Sequence, residues 1–288
     1  MGSSTKRRNA GKKRGKHKQQ KPKGPPMAER VDRHTLYQDA VQCVESEIDF
    51  VDEMYETLRG KKAATLREDF CGTGNTSCEW VRRRPTNRAI GVDIDTEVLA
   101  WGREHNIGGL EAEARNRVGL LEGDVRTLRA EPVDILLAMN FSYWLFDERP
   151  KMLEYFKAAH ANLKDDGVFF LDCYGGYDAP RELEEERECE GFTYVWDQFA
   201  FNPIDNRMTC KIHFHFPDGS KIKNAFEYHW RLWSIPEIRE LLAEAGFRKT
   251  TVYWEGTDED SDEGDGNFEP TEQGDADAGW IAYLSAEK

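Results

Sequence analysis

Two stretches of this chain each lack one sign of charge. Met1–Gly24 holds ten Lys or Arg and no acid, and Glu255–Asp277 holds eleven acids and no base. The formal net charge is −14, so the ten positive charges of the first stretch leave −24 on the other 264 residues. Single-sign blocks repel themselves and stay solvated. Residues 1–30 therefore read as a disordered basic arm, and 255–277 as an acidic loop inserted between two closing strands. The arm has no aromatic residue to stack on a base. It hangs from an acidic body that repels a phosphate backbone. A solubilising tail, or a coding start placed upstream of Met27, is expected over a nucleic-acid contact through residues 6–23. A fold-back of the arm onto the acidic loop stays open.

Cysteine is sparse and scattered. Cys43, Cys71, Cys78, Cys173, Cys189 and Cys210 form no C-x-x-C pair, which argues against zinc ribbons and disulfide frameworks and for reduced thiols. Cys71 reads as a small buried filler. Long apolar runs are absent too, so no transmembrane helix and no signal-peptide core is predicted. The expected location is the cytoplasm, with no membrane partner. No repeat is visible. No Ser/His/Asp order or metal-ligand cluster appears, so no metal is expected, and no oligomeric state is assigned.

What is present begins at Leu66. Leu-Arg-Glu-Asp-Phe-Cys-Gly-Thr-Gly-Asn runs from an apolar lead-in through the acid Glu68 to a turn with Gly72 and Gly74. Glycine lacks a Cβ, so such a turn lets backbone approach a nucleotide-like ligand. A second buried strand, from Arg88, ends in Asp93, 19 positions after Gly74. That is close to the ~20-residue spacing of a ribose-binding carboxylate. A carboxylate is acceptor-only and takes both ribose hydroxyl protons. Val118–Leu121 leads into Glu122-Gly123-Asp124-Val125, and Val133–Met139 into Asn140-Phe141-Ser142-Tyr143. Val168–Leu171 supplies a fifth strand. Strands alternating with helical stretches imply right-handed crossovers and a parallel sheet, with ligands at the strands' carboxyl ends. A dinucleotide enzyme fits less well, because the third glycine of Gly-x-Gly-x-x-Gly is Ser77 here.

The series resembles a class I S-adenosylmethionine-dependent methyltransferase, over roughly Tyr37–Tyr174. The family's acid-x-Gly-x-Gly-x-Gly motif aligns with Glu68–Gly74, except that Phe70 stands at the first glycine position. The resemblance implies a Rossmann-like α/β sheet and S-adenosylmethionine as cofactor. It implies that Glu68 and the backbone around Gly72 hold the methionine end and Asp93 the ribose. Asp124 would accept from the adenine amine, with Val125 against the ring. Asn140 and Phe141 would line the place where cofactor and acceptor meet, and Tyr37 would close over the cofactor.

Before the sheet, residues 31–58 read as one or two helices, with Val41, Val44, Ile48, Val51 and Met54 at helical spacing. The cofactor core is expected over 31–176. Within 177–233 an exposed helix (Arg-Glu-Leu-Glu-Glu-Glu-Arg-Glu) is followed by three antiparallel strands, with a hairpin turn at Pro217–Ser220. Residues 234–288 carry a helix and closing strands. The inserted antiparallel β lid resembles that of small-molecule N-methyltransferases such as the glycine and sarcosine enzymes, which implies a small amine or hydroxyl acceptor.

Acceptor-pocket candidates are Asn140, Tyr143, His213 and Arg231. His213 and His215 share a strand face and read as a solvent-facing pair, because Ile212, Phe214 and Phe216 claim the apolar face; no third metal ligand is evident beside them. Arg231 suits either a carboxylate on the acceptor or an internal acid. Phe141, Tyr143, Trp144 and Phe146, with Trp196, Tyr228 and Trp230 from the lid, read as pocket wall plus core that would attract a sulfonium or cationic amine. Alternatives are an RNA or protein methyltransferase guided by the arm, and a non-catalytic cofactor-binding protein, for which Phe70 is the only support.

Overall fold

The computed structural model describes residues 24–257 and 264–288. Near the N-terminus, α1 (Arg33–Val41) and α2 (Val44–Arg59) precede the sheet. Asp32 caps α1 by accepting from the backbone of His34 and Thr35. Buried Val44, Ile48, Val51 and Tyr55 form the inward stripe of α2.

The parallel strands follow in order, joined by helices: β1 (Thr65–Asp69), α3 (Asn75–Arg83), β2 (Arg88–Asp93), α4 (Thr96–Gly102), α5 (Ala112–Arg115), β3 (Val118–Glu122), β4 (Val133–Ala138), α6 (Arg149–Ala161) and β5 (Leu163–Gly175). The lid strands come next: β6 (Leu183–Cys189), β7 (Phe192–Asn202), β8 (Arg207–His215) and β9 (Lys221–Arg231). α7 (Ile235–Ala245) and β10 (Lys249–Thr257), β11 (Gly264–Thr271) and β12 (Trp280–Glu287) close the chain.

The main sheet has the order β11-β10-β12-β5-β4-β1-β2-β3. Its β5-β4-β1-β2-β3 half is parallel, and β12, β10 and β11 join antiparallel. Strand order reverses at β4/β1, where ligands bind in such sheets. One apolar layer under α6 and α7 contains Tyr155, Phe156, Phe169, Trp233 and Leu241; another under α2 and α3 contains Ile48, Tyr55, Trp80, Ile135 and Phe170. The β6-β7-β8-β9 lid packs Phe192, Ile212 and Phe214 against Leu36 and Ala40 of α1. α1 thus sits between lid and core. Among the described residues no helix is long and apolar enough to cross a membrane.

Three expectations change. The Glu-rich stretch expected to be helical is the edge strand β6, paired with β7 from Leu183↔Gln198 to Cys189↔Phe192. Helix propensity is a weak local preference that a full ladder overrides, and charged side chains suit an edge that must not recruit another strand. The acidic segment is partly built: Gly264–Thr271 is β11, paired with β10, while residues 258–263 lie outside the described residues. The arm's expected extent also shortens. Residues 1–23 lie outside the described residues, but Met27–Glu29 form a 3-10 turn fixed to the β8–β9 hairpin. There the Met27 N–H donates to Asp218 Oδ2 at 2.8 Å and the Ala28 N–H to Ser220 Oγ at 3.1 Å.

Candidate functional site

The turn after β1 carries three left-handed residues in five: Phe70 (φ 58°), Gly72 (φ 52°) and Gly74 (φ 68°). A Cβ on Gly74 would come within 2.7 Å of Leu120 Cδ2, so the β3 side chain packs directly on the turn. Around Gly72 the space is open. Phe70 keeps the backbone a glycine would adopt, and its ring anchors against Tyr155 and Phe146, with centroids at 5.3 and 5.9 Å. The one sequence feature that favoured a non-catalytic protein therefore leaves the turn's left-handed path in place.

Asp93 ties this turn to the end of β2. Its Oδ2 accepts from the Gly72 N–H at 2.8 Å and its Oδ1 from the Asp95 N–H at 3.0 Å. A carboxylate has about four acceptor positions, so capacity remains on the cleft side. Gly72, Asp93, Asp124, Val125 and Tyr37 all line one cleft of about 580 Å³, roofed by Phe226, Tyr228 and Trp230 of β9. Asp124 is bound by the Arg126 guanidinium at 2.6 Å, which holds its carboxyl below the usual range. A tighter recess of about 50 Å³ continues from the cleft through Tyr37, Phe70, Gly72 and Ser142 to Glu68 and Asn140.

Around that recess, buried acids gather. Burial pushes Glu68 up to about 7, against the pull of the Ser77 hydroxyl and N–H, which donate to Oε2 at 2.6 and 2.9 Å. Asp172, at the end of β5, is likewise raised by burial to about 7 although it accepts from the Asn140 N–H at 2.7 Å and the Phe141 N–H at 2.9 Å. Both of those residues are left-handed (φ 57° and 55°). Glu47 of α2 is raised to about 8, mainly by burial and further by Asp172 and Glu68, and its buried Oε2 has no hydrogen-bond partner among the described residues. Such an assembly of desolvated carboxyls favours a bound cation.

Of the acceptor-pocket candidates, only Asn140 lies on the recess. Tyr143 is fully buried and its hydroxyl donates to the Asp172 carbonyl at 2.6 Å, so it belongs to the core. Arg231 pairs with Glu237 at 2.8 Å and stacks over Trp233 at 3.8 Å, so its partner is internal. His213 is buried rather than solvent-facing: it keeps the face opposite Ile212 and Phe214, but β9 bulges beside it between Ile222 and Phe226 and brings Asn224 against the ring. Its Nδ1 accepts from the Asn224 N–H at 2.8 Å and its Nε2 faces Asp197 Oδ2 at 3.2 Å. Glu184 joins these two as a third potential ligand that was not evident in sequence. The Asn224 bond nevertheless fixes the neutral ring as the Nε2–H tautomer, which donates to Asp197 and offers no lone pair to a metal.

Sequence reasoning passed over Asp172, Glu47 and Gln38. Asp172 follows directly on the expected fifth strand, where the other acids had been noted. Glu47 lies three after Val44, on the apolar stripe, which is the signal that would have marked it. Gln38 donates to Thr73 Oγ1 at 2.7 Å and clamps α1 to the turn.

Residues 69–171 match the family described as "Methyltransferase domain". The strand order, with acids at the strand ends, is that of the class I methyltransferase fold. In sequence it is 30% identical over 119 residues to a trans-aconitate 2-methyltransferase from Azoarcus sp. (strain BH72), spanning 41% of this chain and 42% of that protein. In fold it is similar to an S-adenosylmethionine-dependent methyltransferase from Clostridium acetobutylicum (16% identity, TM-score 0.65, 88% of this chain and 96% of that one). It is also similar to the amino pentose methyltransferase CalS10 of Micromonospora echinaspora (17%, 0.62, 88% and 96%) and to the sugar N-methyltransferase KedS8 of Streptoalloteichus (16%, 0.60, 90% and 93%).

Proposed function

We propose that the chain is an S-adenosylmethionine-dependent methyltransferase acting on a small-molecule acceptor. The observation that carries this is the single cleft onto which the ends of β1, β2 and β3 bring Gly72, Asp93 and Asp124. Bound there, the cofactor would supply a sulfonium methyl group open to attack by an acceptor lone pair, with S-adenosylhomocysteine as the leaving group and the proton of an N–H or O–H acceptor passing to water.

The chain's residues fit that ligand. Asp93 has acceptor positions left for two vicinal hydroxyls. Asp124 and Val125 form the floor and edge for a base. Open space beside Gly72 lets the backbone approach closely. Glu68 lines the recess where an α-ammonium would lie, with Asp172 and Glu47 behind it; burial raises all three, and a bound cation would draw them toward their charged forms. The chain's task is positioning and exclusion of water, with no nucleophile of its own. A small acceptor accords with the similarity to amino-sugar methyltransferases and with a lid that covers the cleft.

Calorimetric titration with S-adenosylhomocysteine tests the reading, beside Asp93→Ala. Micromolar binding that weakens more than tenfold in the variant is expected. No binding by the intact chain sinks the proposal.

A further inference from the structure

Phe141 separates two cavities. Its neighbours Asn140 and Ser142 face the recess of the first cleft, while Phe141 itself lines a second cleft of about 380 Å³, between the ends of β5 and β12 and lid strands β6 and β7. Aromatic rings wall this second cleft: Phe141, Tyr174, Trp196 and Trp280. Its charged lining is entirely acidic, Asp178, Glu185 and Glu255, with no Lys or Arg. Asp178 is engaged with Arg181 at 2.7 Å, whereas Glu185 makes no ion pair among the described residues. Gln198 adds an independent observation. It is 7% exposed, and its amide nitrogen donates to the backbone oxygens of Asp178 (3.1 Å) and Arg181 (2.8 Å). That fixes the amide's orientation and leaves Oε1 as an acceptor to which no group donates among the described residues. Rings, carboxylates and a fixed acceptor together select a cation that also carries N–H donors.

Resting on the methyltransferase reading, we propose that this second cleft admits the methyl acceptor and that the acceptor is a cationic amine. Trp196 on its wall lies 6.3 and 6.1 Å from Tyr228 and Trp230, which line the first cleft. Trp196, Tyr228 and Trp230 thus form one aromatic wall between the two cavities, and transfer requires these rings to move aside. The amine enters as an ammonium and loses one proton to water or a cleft carboxylate. Its lone pair then takes the methyl as the C–S bond breaks. A methylated ammonium and S-adenosylhomocysteine leave, with one proton released.

The test uses the full chain and three probes: tetramethylammonium, the near-isosteric neutral tert-butanol, and succinate. Tryptophan fluorescence is read alongside S-adenosylhomocysteine calorimetry, with circular dichroism as the control for folding. Tetramethylammonium alone should bind saturably. The double variant Glu185→Gln/Glu255→Gln should weaken it at least tenfold, while S-adenosylhomocysteine affinity stays within twofold. Equal binding of tert-butanol or succinate, or an unchanged double variant, overturns the proposal. If tetramethylammonium binds but S-adenosylhomocysteine does not, the cofactor reading has failed and the acceptor role falls with it, the cation site alone surviving.

Discussion

The turns after β1 and β4 solve one problem in two ways. Each must send the chain through left-handed backbone at the carboxyl end of a parallel strand. The first uses residue type: Gly72 and Gly74 adopt that conformation without a steric cost, and only Phe70 is forced. The second uses no glycine. Asn140 and Phe141 are both left-handed, which costs about 1–3 kcal/mol each for side chains with a Cβ. A buried carboxyl from the neighbouring strand, Asp172, compensates by accepting both their N–H groups. Composition specifies the first turn, and a contact between strands specifies the second.

The largest break in this comparison should come from Asp172→Ala. Two strained residues would lose their acceptor and two N–H groups would be left unpaired, so urea unfolding should show a loss of about 2–4 kcal/mol. A loss under about 0.5 kcal/mol would mean that Asp172 does not hold the turn.

Next is the pH dependence of the acids behind the turns. Glu47 is raised to about 8, Glu68 and Asp172 to about 7. For an acid whose folded pKa lies above its unfolded one, the folded state binds more protons, so stability falls as pH rises between the two values. Glu47→Gln removes one such group. Its melting temperature should match the wild type near pH 4.5 and exceed it increasingly up to pH 8. A constant difference across that range would mean that Glu47 is ionised throughout in the folded protein. Gly74→Ala should cost about 1–2 kcal/mol through the left-handed penalty, and more if Leu120 does not yield. Smallest is Gly72→Ala, about 1 kcal/mol of stability, because nothing crowds that position; its sharper readout is weaker binding of S-adenosylhomocysteine.

The same contrast explains how much was legible in sequence. The parallel half of the sheet and its turn were readable because glycines and strand-end acids sit at fixed spacing along the chain. Helix α2 was readable from its apolar stripe, although Glu47 within it was passed over. The lid was read only in part. β7, β8 and β9 alternate visibly, but β6 carries a helix-like string of Glu whose state is decided by pairing with β7. His213 was misplaced because β9 bulges opposite it and covers its face of the lid, and composition does not record such a bulge. Tyr143 and Arg231 looked functional by position, yet their partners, Asp172 and Glu237, come from later elements.

Met27 and Ala28 are hydrogen-bonded to Asp218 and Ser220, some 191 and 192 positions further along the chain. The lid's β8–β9 hairpin therefore moors the turn at Met27–Glu29. A pull on Met27 is borne by that hairpin before it reaches the central sheet.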